Sequence, residues 1–339
     1  MCSILFISEV GPGSLGGVQI HLAQVLKKFE SEKGLKINLL CRLSGGFQES
    51  STIKTLKPNL IDLYVHIFQN LPKLLTVSIV HFHDYSIAKH FLPIILLRRL
   101  LGKRTYITFH GWEGEIPPKR RIVLIKFFLN KICDGSIIVG EYLKKWYGLS
   151  GKVIYGGGDH ATLHLGKDIE KDEHIEKKQK VAFVGRLEKD TGFVELLKAT
   201  SDQTGSNGLI VDVFGNGSLA NLSYGNSSLK LYGHVENLVE RLSGYDVVVT
   251  SGYLGILEAL FLGKNVISIS DSSLKQDYLN ISGLSPQYLT VVNSAEKLRC
   301  VLRELQCRSV VKEPIDQEIL YQHFSWSFVV NSYVELWEK

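Results

Sequence analysis

The sequence predicts two α/β domains in tandem, each a doubly wound parallel sheet covered by helices. Three observations predict it. Near-continuous apolar runs of strand length alternate with stretches whose apolar residues recur at helical spacing, the pattern of a parallel sheet buried on both faces. That alternation stops at a highly charged stretch, "GKDIEKDEHIEKKQK" (166–180), and restarts after it. The length, 339 residues, suits two domains of roughly 100–200 residues each.

In the first half, "SILFISEV" (3–10) reads as a strand, "GPGSLGG" (11–17) as the turn after it, and Val18, Leu22, Val25, Leu26 and Phe29 as one helical face. "KINLLCR" (36–42), "SIVHFH" (78–83), "TYITFHG" (105–111) and "SIIVG" (136–140) are further strands. Ile87, Phe91, Ile94 and Ile95 mark a helix ending near Gly102, and another spans about 120–132.

The second half repeats the scheme. Strands fall at "VAFVG" (181–185), "LIVDVFG" (209–215), "LKLYG" (229–233), "DVVVTS" (246–251), "NVISIS" (265–270) and "YLTVV" (288–292). Helices are predicted over 192–200, 236–243, 254–262 and about 294–306. This organisation gives a first domain at 1–160, a charged linker at 161–180 and a second domain at 181–323. The last stretch ends in one amphipathic helix, which can either close the second domain or cross back to the first.

Composition excludes several classes. The 45% hydrophobic and 22% charged content is that of an ordinary globular chain. The longest apolar runs, "FLPIILL" (91–97) and "IVLIKFFL" (122–129), fall short of the ~20 residues that cross a bilayer. The apolar N-terminus lacks the basic n-region and cleavage site of a signal peptide. Five scattered cysteines, none paired at metal-ligand spacing, read as buried free thiols of a reducing cytoplasm. Lysines and arginines gather in "LLRRLLGKR" (96–104) and "PPKRRIVLIKFFLNK" (117–131). Each can be a core-facing helix with a solvated basic face, or a docking surface for anionic lipid. No nucleic-acid module is recognisable, so nucleic acid is not an expected partner.

Candidate site residues follow strands, where doubly wound sheets bind ligands. Gly16 and Gly17 open the first helix, and without side chains they let an anion approach its amides. "HFHDYS" (81–86) and "TFHGWEG" (108–114) place His83 and His110 at strand ends, with Trp112 and Glu113 beside His110. Ring, carboxylate and backbone access together suit a carbohydrate-sized ligand. His81 and His83 find no third ligand at helical or hairpin spacing, so no metal site is expected. "VGRLEKDTG" (184–192) ends its strand with Arg186, able to grip a phosphate bidentately or to pair with Glu188 or Asp190. "FGNGSL" (214–219) supplies Gly215 and Gly217 in the same strand–glycine arrangement. Within "TSGYLGILEALFLG" (250–263), Glu258 is the one charge, and a carboxylate among apolar neighbours demands hydrogen-bond donors.

In order, "GG", "HGWEG", "VGEYLKKWYG", "YGGGD", "VGRL", "GNG" and "LEALFLGKNVI" resemble the retaining glycosyltransferases of GT-B fold, most closely glycosyltransferase family 4. The resemblance covers essentially the whole chain. It implies two Rossmann-like domains facing across a cleft, with a terminal helix at 324–339 crossing back to complete the first. It further implies transfer of a sugar from a nucleotide-sugar donor to a glycan or lipid-linked acceptor, with retention and without cofactor or metal. Glu258 would accept the ribose hydroxyls, and amides of Gly255, Ile256 and Leu257 would face the diphosphate. Arg186 would stabilise the departing phosphate, and His110 would stand by the transferred sugar. Gly16, Gly17, Lys189, Gly215 and Gly217 would line the donor, and His83, Trp112 and Glu113 the acceptor side. A cytoplasmic enzyme meeting its acceptor at the inner face of the membrane is the implied setting.

Two positions depart from the family pattern. A second glutamate is usual eight residues before the one in "LEA", where this chain has Thr250. A lysine is usual five residues after the "GRL" arginine, where it has Thr191; Lys189 is the nearby candidate to replace it. These departures leave open a non-catalytic nucleotide-sugar or glycan binder. A GT-B-like nucleotide-sugar epimerase is a third reading.

Overall fold

The computed structural model describes residues 3–13, 16–43, 52–55, 59–111, 113–159, 179–201, 209–284, 287–307 and 316–339. The chain divides into two compact units, Met1–Gly156 with Trp326–Lys339, and Gly157–Ser325. All but the last two residues of the expected linker lie outside the described residues.

The first unit runs β1 (Ile4–Val10), α1 (Gly17–Lys33), β2 (Asn38–Leu43), β3 (Ile53–Thr55), α2 (Leu60–Gln69), α3 (Leu71–Thr76), β4 (Ile79–His83), α4 (Tyr85–Ala88), α5 (Leu92–Leu100), β5 (Arg104–Phe109), α6 (Arg120–Ile132), β6 (Gly135–Val139), α7 (Tyr142–Tyr147) and β7 (Lys152–Ile154). Its strands pair in parallel in the order β3-β2-β1-β4-β5-β6-β7. The chain therefore reverses its direction of winding between β1 and β4, and the carboxyl ends of these two strands open on the switch point where such sheets take ligands. Every residue of β4 is buried. Phe6, Phe29, Phe82, Phe91 and Phe109 fill the layers on either side of the sheet.

The second unit contains β8 (Val181–Val184), α8 (Phe193–Thr200), β9 (Val211–Phe214), β10 (Leu229–Gly233), α9 (Leu238–Leu242), β11 (Val247–Val249), α10 (Tyr253–Phe261), β12 (Asn265–Ile269), α11 (Ser273–Leu279), β13 (Leu289–Val292), α12 (Ala295–Cys307) and α13 (Gln317–Phe324). Its parallel order, β10-β9-β8-β11-β12-β13, reverses between β8 and β11. Val181, Phe183, Val211, Val213, Val247 and Val249 pack from the strands against Phe193, Leu196, Leu298 and Leu302 of the helices.

The short strands β3 and β7 are not among the expected elements; the apolar runs predict the other strands to within two or three residues, and three further differences stand out. The helix expected from Ile87 onward is broken into α4, a 3₁₀ turn (Lys89–Phe91) and α5, because Pro93 occupies the first turn of a new helix, where its missing N–H is tolerated. The terminal stretch forms two helices: Ser325 is extended and separates α13, in the second unit, from α14 (Trp326–Glu338), in the first. α14 packs on α1, β6 and β7, and Arg104 of β5 donates to the Trp337 carbonyl at 2.8 Å.

The third difference concerns the two basic segments. Arg98 is fully buried and donates to the carbonyls of Leu74, Val77 and Arg104 and to Thr105 Oγ1. Lys126 is likewise fully buried. Both residues belong to the interior rather than to a basic face. Hydrophobic exposure is real there all the same: Leu100 is 83% and Leu124 67% exposed. No helix among the described residues is long and apolar enough to cross a membrane.

Candidate functional site

In the first unit, α1 and the ends of β4 and β5 bring His21, His83 and His110 together. His83 Nδ1 and His110 Nε2 share a hydrogen bond of 3.1 Å. The ring centroids of His21 and His110 are 4.9 Å apart, edge to face. Behind them runs a chain of hydrogen bonds from α14. An indole can only donate, so Trp337 Nε1, 3.0 Å from His81 Nδ1, makes that nitrogen the acceptor. The proton of His81 is then on Nε2, directed at Thr108 Oγ1 2.8 Å away. Thr108 Oγ1 and Tyr333 Oη share a hydrogen bond of 3.1 Å, and Tyr333 Oη lies 2.9 Å from His21 Nε2. A side chain of the last helix thus sets the tautomer of His81 on β4.

Burial removes water from all four rings and disfavours their charged forms. The pKa values of His21, His81 and His83 fall well below the ordinary imidazole value, and that of His110 is held down to about 3, with Lys126 adding to the effect of burial. These imidazoles are neutral near pH 7.

His21, His83 and His110 each direct a ring nitrogen to within 4.8 Å of the others, a group able to hold a metal ion. This corrects the spacing argument: the third histidine comes from α1, sixty-two residues before His83 in sequence, where no local spacing reveals it. The His83–His110 hydrogen bond occupies one nitrogen of each ring and leaves His83 Nε2 buried without a partner among the described residues.

Glu113 is tied internally. Its Oε1 lies 2.7 Å from Lys126 Nζ, and its Oε2 accepts from Tyr147 Oη at 2.8 Å. Trp112 lies outside the described residues. Gly16 caps α1 in extended conformation; a Cβ on Gly17 would meet nothing within 4 Å, whereas one on Gly16 would lie 2.3 Å from Gln19 Oε1.

In the second unit, Arg186 follows β8 and is 65% exposed at its side chain, paired to Asp190 at 2.7 Å. Thr191 does not supply a charge. Its hydroxyl, 2.7 Å from the Arg186 carbonyl and 2.8 Å from that of Glu188, staples the loop. Glu188 accepts from the amide and hydroxyl of Ser218. Gly215 and Gly217 have a packing reason to be glycine. A Cβ on Gly215 would lie 1.8 Å from the Gly185 carbonyl oxygen, and one on Gly217 2.4 Å from that of Leu187. The loops after β8 and β9 touch backbone to backbone.

α10 begins at Tyr253, directly after the short segment that follows β11. Consequently the Ile256 amide already donates to the Gly252 carbonyl at 3.0 Å, and Leu257 lies a residue further in. Of the three amides expected to face a diphosphate, only that of Gly255 belongs to the unsatisfied first turn. Thr250 is buried, with its Oγ1 packed where a Gly255 Cβ would go. It fills space at the position where the family pattern has its second glutamate.

Glu258 projects from α10 and accepts no hydrogen bond from another described side chain; burial alone pushes its pKa up to about 7. Lys275, on α11, is a residue that sequence reasoning missed. It is buried, donates to the Ser251 carbonyl at 2.7 Å and lies 4.3 Å from the Tyr278 ring centroid. Burial lowers its pKa to about 8, against the opposing influence of Asp190 and Asp271. Lys189, by contrast, is exposed on a 3₁₀ turn. The one signal for another cation is Thr191 at the position of the family's lysine, and nothing local points to α11.

Two doubly wound sheets of seven and six strands, with the last helix returned to the first unit, constitute the GT-B architecture of glycosyltransferases. The chain is similar to the lipopolysaccharide outer core galactosyltransferase WaaB in its apo form (TM-score 0.70, 15% identity, 98% of this chain and 99% of that one). It is similar also to HepE of Anabaena in complex with UDP (0.71, 15%, 98% of each). A pneumococcal O-GlcNAc transferase, GtfA, in complex with UDP and GlcNAc matches at 0.66 with 10% identity over 99% of each chain. No protein-family model and no curated protein matches the sequence.

Proposed function

We propose that the chain is a retaining glycosyltransferase of the family 4 type, moving a sugar from a nucleotide-sugar donor to a glycan or lipid-linked acceptor. The observation that carries this reading is Glu258. It is a half-buried carboxyl on the helix after β11 that accepts no hydrogen bond from a described side chain, and two ribose hydroxyls would supply it with donors. Solved structures of similar fold contain UDP, and one of HepE contains UDP-glucose, which supports a uridine nucleotide as the first donor to test.

In this mechanism the protein positions the donor and stabilises charge, and forms no covalent bond itself. Arg186 exchanges its Asp190 partner for the leaving phosphate, aided by the Gly255 amide and by Lys275, which takes the place left by Thr191. His110, neutral, hydrogen-bonds the transferred sugar. We propose that no metal takes part: a chelator should leave turnover unchanged, and restoration by magnesium after chelation would refute this.

A panel of nucleotide sugars tests the assignment. The donor should raise the thermal midpoint by mass action and release nucleotide slowly to water, and proton NMR of the first product should show the donor's anomeric configuration. Buried Thr250 and the uncharged Thr191 favour a binding-only protein as the second reading. Stabilisation by nucleotide sugar with no turnover for any acceptor would establish it.

Exposed Leu96, Leu100, Leu124 and Phe128 near Lys89, Arg99 and Lys131 support peripheral docking on anionic membrane. A groove of about 270 Å³ lined by Leu92, Leu124, Ile125, Phe128 and Leu129 lies on the same unit. Co-sedimentation with anionic but not neutral vesicles, lost at high salt, is the expected result; equal recovery with both removes the proposal.

A further inference from the structure

We propose that Lys126, although it lies outside hydrogen-bond reach of the histidines, is the positioning residue that sets His110 for sugar transfer; this rests on the transferase reading. Lys126 sits in mid-helix on α6 with its side chain fully buried. Its Nζ donates to the Gly111 carbonyl at 2.5 Å and lies 2.7 Å from Glu113 Oε1. It also stands 4.9 Å from the Tyr85 ring centroid and 4.3 Å from that of Tyr147. Tyr147 in turn holds the second oxygen of Glu113. The ammonium group therefore grips the loop after β5 at two points, one and three residues beyond His110.

Asp84 grips the same loop from the other side. Its buried carboxylate accepts the backbone N–H of His110 as well as that of Tyr85, and it feels the charge of Lys126. Among the described residues it is the one non-glycine with positive φ, 77° with ψ 157°. That region is costly for any side chain and persists only where the surroundings enforce it. A strained aspartate and a lysine buried beneath a partly exposed carboxylate thus converge on His110, Gly111 and Glu113. Burying a charged group to make such a pair is a poor source of stability, since apolar groups of similar volume often do as well. What this one provides is a fixed loop backbone, and with it a fixed imidazole.

The test separates positioning from folding. Lys126→Met alone leaves Glu113 without its cation and should lower the thermal midpoint. The double variant Lys126→Met with Glu113→Gln removes both charges and should regain most of that stability. Both variants should nonetheless lose about 10–100-fold in kcat for UDP release from UDP-glucose, the scale of a misplacement of about 1 Å, with UDP affinity unchanged. Independently of turnover, the ¹⁵N-imidazole resonances of His110, assigned by their loss in His110→Gln, should shift or broaden in both variants. Recovery of kcat together with stability in the double variant would make Lys126 merely structural and overturn the proposal, as would unchanged His110 resonances. Should the parent turn over no donor while those resonances still move, Lys126 positions His110 and the transferase reading is what fails.

Discussion

Arg98 and Lys126 in the first unit are fully buried, and each is surrounded by carbonyls, a hydroxyl or a carboxylate of its own unit. Arg186 in the second unit stands 65% exposed on a loop, and Glu258 is desolvated with no described side chain donating to it. The two sheets share a reversal of strand order, and both bury cations: Lys275 of the second unit is bonded to the Ser251 carbonyl, as Arg98 and Lys126 are to carbonyls of the first. Arg186 and Glu258 differ from these three, the first exposed and paired only to Asp190, the second taking no hydrogen bond from a described side chain. Perturbed groups are candidates for function, but structural networks perturb groups too; Arg98, bonded to three carbonyls, and Glu258, with no described side chain donating to it, differ in that respect.

The contrast can be broken at its strongest point by Arg186→Ala. A residue that acts on the leaving phosphate should cost about 10²–10³ in kcat, by analogy with loss of one oxyanion donor, while the thermal midpoint stays within a degree or two. Arg98→Met should do the reverse. Several buried carbonyls lose their donor, so unfolding in urea should show a loss of about 3 kcal/mol or more, with kcat of the remaining folded protein near the parental rate.

Glu258 sharpens the comparison through pH. Its folded pKa of about 7 lies above the ordinary 4.5, so the native state holds the extra proton between those values. Its contribution to stability is therefore present below about 4.5 and lost as the pH rises through about 7. Ribose hydroxyls require the ionised form, so UDP affinity should fall about tenfold for each pH unit between 7 and 5. Calorimetry in buffers of different ionisation enthalpy should show proton release on binding. Glu258→Gln should flatten both dependences; a Glu258→Gln profile that still follows pH assigns the titration elsewhere. A smaller effect belongs to Lys275→Met, and the smallest to Lys189→Met. Because the Lys275 ammonium is already bonded to the Ser251 carbonyl, its removal should weaken UDP binding only about three- to tenfold, by equilibrium titration at pH 7, while Lys189→Met changes it less than twofold.

Much of the fold is legible along the chain because strand burial and helical amphipathicity are written in consecutive residues. "SIVHFH" reads as a strand buried on both sides, and β4 is one. The charge of Glu258 within "LGILEALF" likewise announces itself locally. Side-chain destinations are another matter. In "LLRRLLGKR" nothing distinguishes Arg98, which enters the interior, from Arg99 beside it, which reaches the carbonyls of Lys131 and Ile132 near the surface. In "IVLIKFFL" the lysine looks like a solvated break in an apolar helix, and it is instead the buried partner of Glu113.

What the sequence determined by itself is two parallel sheets, the order of most of their elements and the strand ends at which His83, His110 and Arg186 stand, because periodicity and turn chemistry act over a few residues. Tertiary structure alone decided that His21 joins His83 and His110, that Tyr333 and Trp337 of the last helix fix the histidines behind them, and that Lys275 lies beside the start of α10. Those contacts join residues 24 to 312 positions apart. They depend on how helices seat against a sheet, and no local rule of hydrophobic spacing carries that information.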